Sequence, residues 1–197
     1  MEPQAAPYFR RWLGADEFLN GYQRWCLWLG ECPPNELKKM PLALKRVEAV
    51  QQVRLASKSA PTRKLAPTPT RFHVENMPTS EYLLIPRHSS ESRIYLPIGF
   101  IDPGTLSGDA NLVIGDGSIY VFGVMQSLMH NAWMRTVCGR IKSDYRYSAG
   151  IVYNNYPWPE LLEVDDPKRA TKLRSAIETA AEAVLAARAQ YPAATLA

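Results

Sequence analysis

Four charged residues alternate along "GRIKSDYRYS" (139–148): Arg140, Lys142, Asp144 and Arg146, with Ile141, Ser143, Tyr145 and Tyr147 between them. On an extended strand alternate side chains share a face, about 6.5–7 Å apart. The spacing therefore predicts a charged row above a more apolar underside. A lysine can donate to guanine O6 and N7, and an aspartate can accept from the cytosine N4 amine. Lys142 and Asp144 together can read one G·C pair in a major groove. Arg146 can take a neighbouring guanine or a phosphate, and Arg140 and Arg135 can hold the backbone. An aspartate beside a polyanion is otherwise a liability, which favours a base contact. The competing reading is an ordinary surface row whose members pair with one another, an arrangement worth little in stability. Tyr145 is the ring best placed to stack on a base. Tyr147, Tyr153, Tyr156 and Trp158 read as packing.

Catalytic constellations are missing from the sequence. His73, His88 and His130 are far apart and flank no Cys or acidic cluster, so no metal site is expected. There is no phosphate-cradling glycine loop and no Gly-x-Ser-x-Gly elbow. "VIGDGS" reads as a turn. "YNNYP" is similar to the Asn-Pro-Pro-Tyr loop of amino-methylating DNA methyltransferases, but its prolines follow the tyrosine, and no cofactor motif precedes it. No catalytic residue is assigned, and the chain is expected to bind and not to transform.

The 197 residues suffice for one domain with a helical appendage, and 46% apolar with 21% charged residues is ordinary for a soluble globular protein. No apolar run is long enough for a membrane span, and the N-terminus lacks a signal-peptide pattern. Cys26, Cys32 and Cys138 are odd in number and read as reduced thiols of a cytoplasmic protein. The net charge of +4 is unevenly spread. Lys38, Lys39, Lys45, Arg46, Arg54, Lys58, Arg63 and Lys64 meet only Glu48, a surface that suits a polyanion or simply solvent.

The elements that must position the row are legible in outline. "YQRWCLWL" (22–29) suits a buried strand. Pro41 can open a helix running to about Ser57, with Leu44, Val47, Val50 and Arg54 on one face. "SKSAPTRKLAPTPT" reads as a loop. "EYLLIP" (81–86) and "RIYLPIGFID" (93–102) read as two strands of a hairpin with Arg87, Ser89, Ser90 and Arg93 near its tip. "NLVIGDG" is a short strand and turn. "SIYVFGVMQSLMHNAWMRTVCG" is a helix or bent helix pair, with Phe122, Met125, Met129, Trp133 and Val137 inward and Gly139 as its stop. "GIVYNN" reads as a strand and "YPWPE" as a rigid exit. Asp166 and Pro167 cap a last amphipathic helix with Ala170, Leu173, Ile177, Ala180, Val184 and Ala187 as its stripe. It is expected to pack on the domain or to serve as a spacer. The fold class expected is α/β (α+β): a mixed or antiparallel sheet packed with helices, plus a C-terminal amphipathic helix.

"SSESRIYLPIGF", "SIYVFGVMQSLMHNAWMRTVCGRIKSDYRYS" and "IVYNNYPWPE" resemble the target-recognition domain of MmeI-like enzymes. "GADEFLNGYQRWCLWL" and "MPLALKRVEAVQQVR" resemble the segment that follows the methyltransferase in that family. These are single-chain restriction–modification proteins joining an adenine-specific DNA methyltransferase to a recognition domain, and the resemblance covers about residues 8–160. It implies a partner in double-stranded DNA, a methyltransferase domain in the same parent chain, and S-adenosylmethionine as that domain's cofactor. No cofactor is expected in this segment. The stretch matching "GRIKSDYRYS" carries the family's base contacts, so Lys142, Asp144 and Arg146 become the expected base readers. Arg135, Arg140, Ser143, Tyr145, Ser89, Ser90, Arg93, Lys58, Arg63 and Lys64 become backbone or supporting contacts. The cofactor motif, catalytic loop and nuclease of the family have no counterpart here. The chain is thus expected to be a C-terminal piece whose Met1 is artificial or marks a truncated product. Residues 1–160 would form the recognition domain and 161–197 a helical spacer or tail. The alternative is an assembly domain that docks on another protein through the terminal helix.

Overall fold

The computed structural model describes residues 2–75, 78–159 and 166–196. A 3₁₀ turn over Pro3–Tyr8 leads into β1 (Phe9–Leu13), α1 (Ala15–Asn20) and β2 (Trp25–Leu27). Three helices follow: α2 (Pro34–Leu37), α3 (Pro41–Leu55) and α4 (Ala60–Lys64). Then come β3 (Tyr82–Pro86), β4 (His88–Ser89), β5 (Gly99–Ile101), β6 (Leu106–Ser107) and β7 (Asn111–Gly115). The helices α5 (Ile119–Gln126) and α6 (Leu128–Val137) precede β8 (Gly139–Ile141) and β9 (Asp144–Arg146). A π-helical turn over Ala149–Tyr153 and α7 (Pro167–Ala189) complete the order. The mixture of helices with small antiparallel sheets is the expected α+β class. The chain divides into two compact units, Met1–Trp12 with Arg24–Met77, and Leu13–Gln23 with Pro78–Ala197.

In the first unit β1 and β2 pair antiparallel, Arg10 opposite Cys26. β2 is three residues long, and Trp25 is exposed, so 22–29 is not the buried strand its composition suggests. Pro41 stands in the first turn of α3, where a missing N–H costs nothing. The free N–H groups of Leu42 and Ala43 donate to the Glu2 carboxylate at 2.7 and 3.0 Å. Ala5, Leu29, Leu37, Met40, Ala43 and Val47 form the core, while Val50 faces out. Arg54 donates to the carbonyls of Leu65, Thr68 and Arg71 at 2.7–2.9 Å. This arginine ties the chain after α4 to α3 and is a structural cation. The segment expected as a loop contains the short helix α4.

In the second unit one sheet has the order β5-β3-β7 and another β4-β9-β8, all antiparallel. β3 is central and buried at all five positions, which is why "YLLIP" shows no polar alternation. The segment 93–98 is not the predicted strand. Its backbone is held by side chains instead: the Leu96 N–H donates to Asn131 Oδ1 at 2.8 Å, and its carbonyl accepts from Gln126 Nε2 at 2.7 Å. Arg188 donates to the Ile98 carbonyl at 2.7 Å, and Arg135 to that of Ile94. The expected pairing of 81–86 with 93–102 is present where β3 meets β5, Leu84 opposite Gly99, but the stretch expected as its tip contains β4, which pairs with β9.

The bent helix pair is present, hinged at Ser127 with φ −66° and ψ 152°. The hinge resets the helical phase, so Met129 is exposed and His130, Asn131 and Met134 turn inward. α6 ends at Val137 and is followed by an extended Cys138, without a left-handed glycine at 139. "GIVYNN" is helical and not a strand. α7 packs on α5, Ile177 and Ala181 facing Gly123 closely enough that a β-carbon there would stand 2.9–3.0 Å from them. Its inward face runs through Ile177, Ala181, Leu185 and Arg188, turned from the predicted stripe, so Leu173 and Val184 are exposed. Asp166 caps it as expected, accepting from Lys168 N at 2.9 Å. The boundary at 160/161 and the end of "YPWPE" lie outside the described residues.

Candidate nucleic-acid interface

β8 and β9 form a tight hairpin in which Ile141 faces Asp144 across a two-residue turn, Lys142–Ser143. The predicted continuous strand is therefore folded in two, and the turn inverts the parity of the row. Cross-strand partners share a face, so Arg140 lies beside Tyr145, while Asp144 and Arg146 keep the opposite face with Ile141. β4 extends both faces: Ser89 joins Tyr145 inside and His88 joins Arg146 outside. The outer surface shows Asp144, Arg146 and His88, all exposed, and Lys142 stands at the tip.

The side chains of Lys142 and Arg146 make no hydrogen bond or ion pair among the described residues, although surface ion pairs with Asp144 were the competing expectation. Asp144 accepts from the Glu91 N–H at 3.3 Å through Oδ1, and its Oδ2 has no such partner. Lys142 has φ +56°, a left-handed conformation that costs a non-glycine residue about 1–2 kcal/mol. Arg140 bends back over the inner face: its guanidinium lies 4.5 Å from the centre of the Tyr145 ring, donates to the Ser143 carbonyl at 2.7 Å and stands 3.9 Å from Glu91.

Below the hairpin Tyr147, His130 and Asn131 find hydrogen-bond partners, while the buried Ser148 Oγ has none among the described residues. Tyr147 donates its backbone N–H to Arg87 O at 2.7 Å. His130 Nδ1 lies 3.0 Å from the Met125 carbonyl, which can only accept, so Nδ1 carries the proton. Nε2, 3.1 Å from the Tyr147 hydroxyl, is then the acceptor. Burial holds the His130 pKa down to about 4, although the Met125 carbonyl opposes this. Burial likewise pushes the Tyr147 phenol up. Asn131 donates to the carbonyls of Ser127 and Met125 at 2.8 and 3.2 Å. Tyr156 meets the His130 ring edge-on at 4.8 Å.

The expected supporting residues divide accordingly. Ser89 and Tyr145 are buried, so Tyr145 offers no open ring for stacking. Ser90 bonds Ser92 at 2.9 Å, and Ser143 is exposed in the turn. Arg135 is spent on Ile94, and Arg93 has a buried Nη1 without a partner. Lys58, Arg63 and Lys64 belong to the first unit and are exposed there. Arg63 donates to the carbonyls of Ser57 and Lys58 at 2.8 and 2.9 Å. Glu91 and His88 were missed; only the β4–β9 pairing, distant in sequence, brings them to the hairpin. Among the described residues no cluster of potential metal ligands occurs, and no helix is long and apolar enough to cross a membrane.

A folded hairpin that offers donors and an acceptor above a hydrogen-bonded core suits a recognition module. The chain belongs to the MmeI target recognition domain family, whose profile matches residues 1–160. It is 41% identical over 159 residues to DNA methyltransferase A of Bacillus subtilis (strain 168), covering 81% of this chain and 18% of that protein. It also resembles the solved structure of the Type IIL restriction–modification enzyme MmeI in complex with DNA. The TM-score is 0.90 at 46% identity, over 99% of this chain and 25% of that one. The chain thus spans a quarter or less of the relatives it matches.

Proposed function

We propose that this chain is the sequence-reading module of a site-specific DNA adenine methyltransferase or restriction–modification protein and binds double-stranded DNA. The observation that carries the reading is the outer face of the β8–β9 hairpin. There, among the described residues, Lys142 and Arg146 keep their donors free and Asp144 keeps one oxygen free, in a chain of the target-recognition family. Lys142 donates to guanine O6 or N7 and Asp144 accepts from cytosine N4 of the same pair; Arg146 takes a neighbouring guanine or a phosphate. Lys58 and Lys64 meet phosphates, which adds affinity without preference. Arg135, Arg63, Arg93, Ser89, Ser90, Ser143 and Tyr145 support the frame. Residues 1–160 carry the recognition, and 161–197 follow as a helical tail. The parent protein is cytoplasmic, and its methyltransferase domain uses S-adenosylmethionine to methylate an adenine turned out of the duplex.

The assembly reading has less to stand on, because Ile177 and Ala181 of the terminal helix are already used against α5. Selection from a random duplex library at low salt tests the proposal. A motif with a G·C pair is expected, and Asp144→Ala or Lys142→Ala should change the preference at that position by about 1–3 kcal/mol. Equal losses on every sequence would reduce these residues to phosphate contacts. Replacing Lys58 and Lys64 by Gln should weaken binding uniformly and lower the salt slope by about 1–2.

A further inference from the structure

Arg140 belongs to the charged row by sequence, yet it lies on the other face of the hairpin from Asp144 and Arg146. Its contacts describe a clip. Nη1 donates across the turn to the Ser143 carbonyl at 2.7 Å, and the same atom faces Glu91 Oε2 at 3.9 Å. The guanidinium plane is supported by Tyr145, 4.5 Å from the ring centre. Glu91 then reaches back: its N–H donates to Asp144 Oδ1 at 3.3 Å. The turn that presents Glu91 is itself held, since Ser92 N donates to Ser90 Oγ at 3.3 Å and Arg93 N to Ser90 O at 3.2 Å. One arginine and one glutamate thus touch both sides of Lys142, the residue in the strained left-handed conformation.

We propose that Arg140 and Glu91 are positioning residues that set base preference without touching a base, by clipping the Lys142–Ser143 turn shut and fixing the Asp144 carboxylate. The inference rests on the hairpin being the DNA-reading element. The left-handed Lys142 is uphill alone and persists only where its surroundings hold it; the bond from Arg140 to Ser143 O supplies that hold. With Oδ1 engaged by Glu91, Asp144 presents Oδ2 in one orientation, so a cytosine amine meets a fixed acceptor. A lysine at 140 would keep the charge but lose the guanidinium plane that lies against Tyr145 while its Nη1 reaches Ser143.

Arg140→Lys, which loosens the clip, and Glu91→Pro, which removes the backbone N–H that holds Asp144 Oδ1, separate this role from a phosphate contact in the 197-residue chain. Duplex-binding preference and salt slope are measured together with amide chemical shifts and the HN–Hα coupling of Lys142 in DNA-free protein by NMR. Expected in both variants is a roughly three- to tenfold fall in discrimination at the pair read by Lys142 and Asp144, an unchanged salt slope, and displaced Lys142 and Ser143 signals. Unaltered turn signals would overturn the clip whatever the DNA result. A uniform loss on all sequences with a flatter salt slope in Arg140→Ala but not in Arg140→Lys would make Arg140 a phosphate ligand and overturn it too. Displaced turn signals in a protein whose parent sequence has no base preference would instead bring down the DNA-reading proposal, and the clip's role in preference with it.

Discussion

Two ends of one short stretch, Asp144–Tyr147, are built on opposite terms. At Tyr147 the hydroxyl, the His130 ring and the Asn131 amide find partners inside the protein. At the outer face of the hairpin Lys142 and Arg146 have none among the described residues, and Asp144 has one. Buried polar groups are costly when unpaired, whereas exposed ones lose little. Changes at the matched end should therefore register as stability, and changes at the open end as altered recognition.

The sharpest break should come from Asn131→Ala. It orphans the buried Leu96 N–H and frees the Ser127 carbonyl, and about 3–4 kcal/mol should be lost in urea unfolding. Titration probes the same end. The His130 pKa is lowered in the folded state to about 4 from 6.5, so between those values the unfolded chain binds the extra proton. Stability from this group is complete above about pH 6.5 and is lost as pH falls towards 4, by about 3 kcal/mol at most. His130→Gln should flatten that slope in unfolding curves taken across the interval. Gly123→Ala, which forces a methyl against Ile177 and Ala181, should cost about 2 kcal/mol in the same assay through the α5–α7 contact. At the open end, Lys142→Gly should be about 1 kcal/mol more stable than Lys142→Ala, because glycine accepts the left-handed turn without strain. A glycine variant no more stable than the alanine one would show that the turn is not held in that conformation.

The contrast also explains what the sequence disclosed. β3, α3 and α7 were legible because their signals are local: a continuous apolar run, Pro41 in a first turn, Asp166 before Pro167. The turn at Lys142–Ser143 was not, because no glycine or asparagine marks it and strict alternation continues through it. Arg140 was consequently assigned to the wrong face. The segment 93–98 has strand-like residues, but its hydrogen-bond partners, Gln126, Asn131, Arg135 and Arg188, are remote in sequence. The stripe drawn through Phe122, Met125, Met129, Trp133 and Val137 failed at Met129 alone, since it assumed one helical phase across Ser127; Trp133 and Val137 still pack on the core. The base-reading candidates themselves stood in plain view as residue types, while the placement of Glu91 depended on the β4–β9 pairing and that of Arg140 on the turn that folds β8 onto β9.

Ser127 closes α5 and opens α6, its hydroxyl accepting from the His130 N–H at 3.1 Å. Each helical residue advances the chain by about 100° of rotation. One residue inserted or deleted at this hinge would turn all of α6 by that angle. His130 and Asn131 would swing away from Tyr147 and Leu96; an insertion would bring Met129 to the place of His130, and a deletion would bring Ala132 to that of Asn131. Because β8 begins directly after α6, the hinge behaves as the index mark of a dial: substitutions at the hairpin alter what is displayed, but a length change at Ser127 would misalign the whole display.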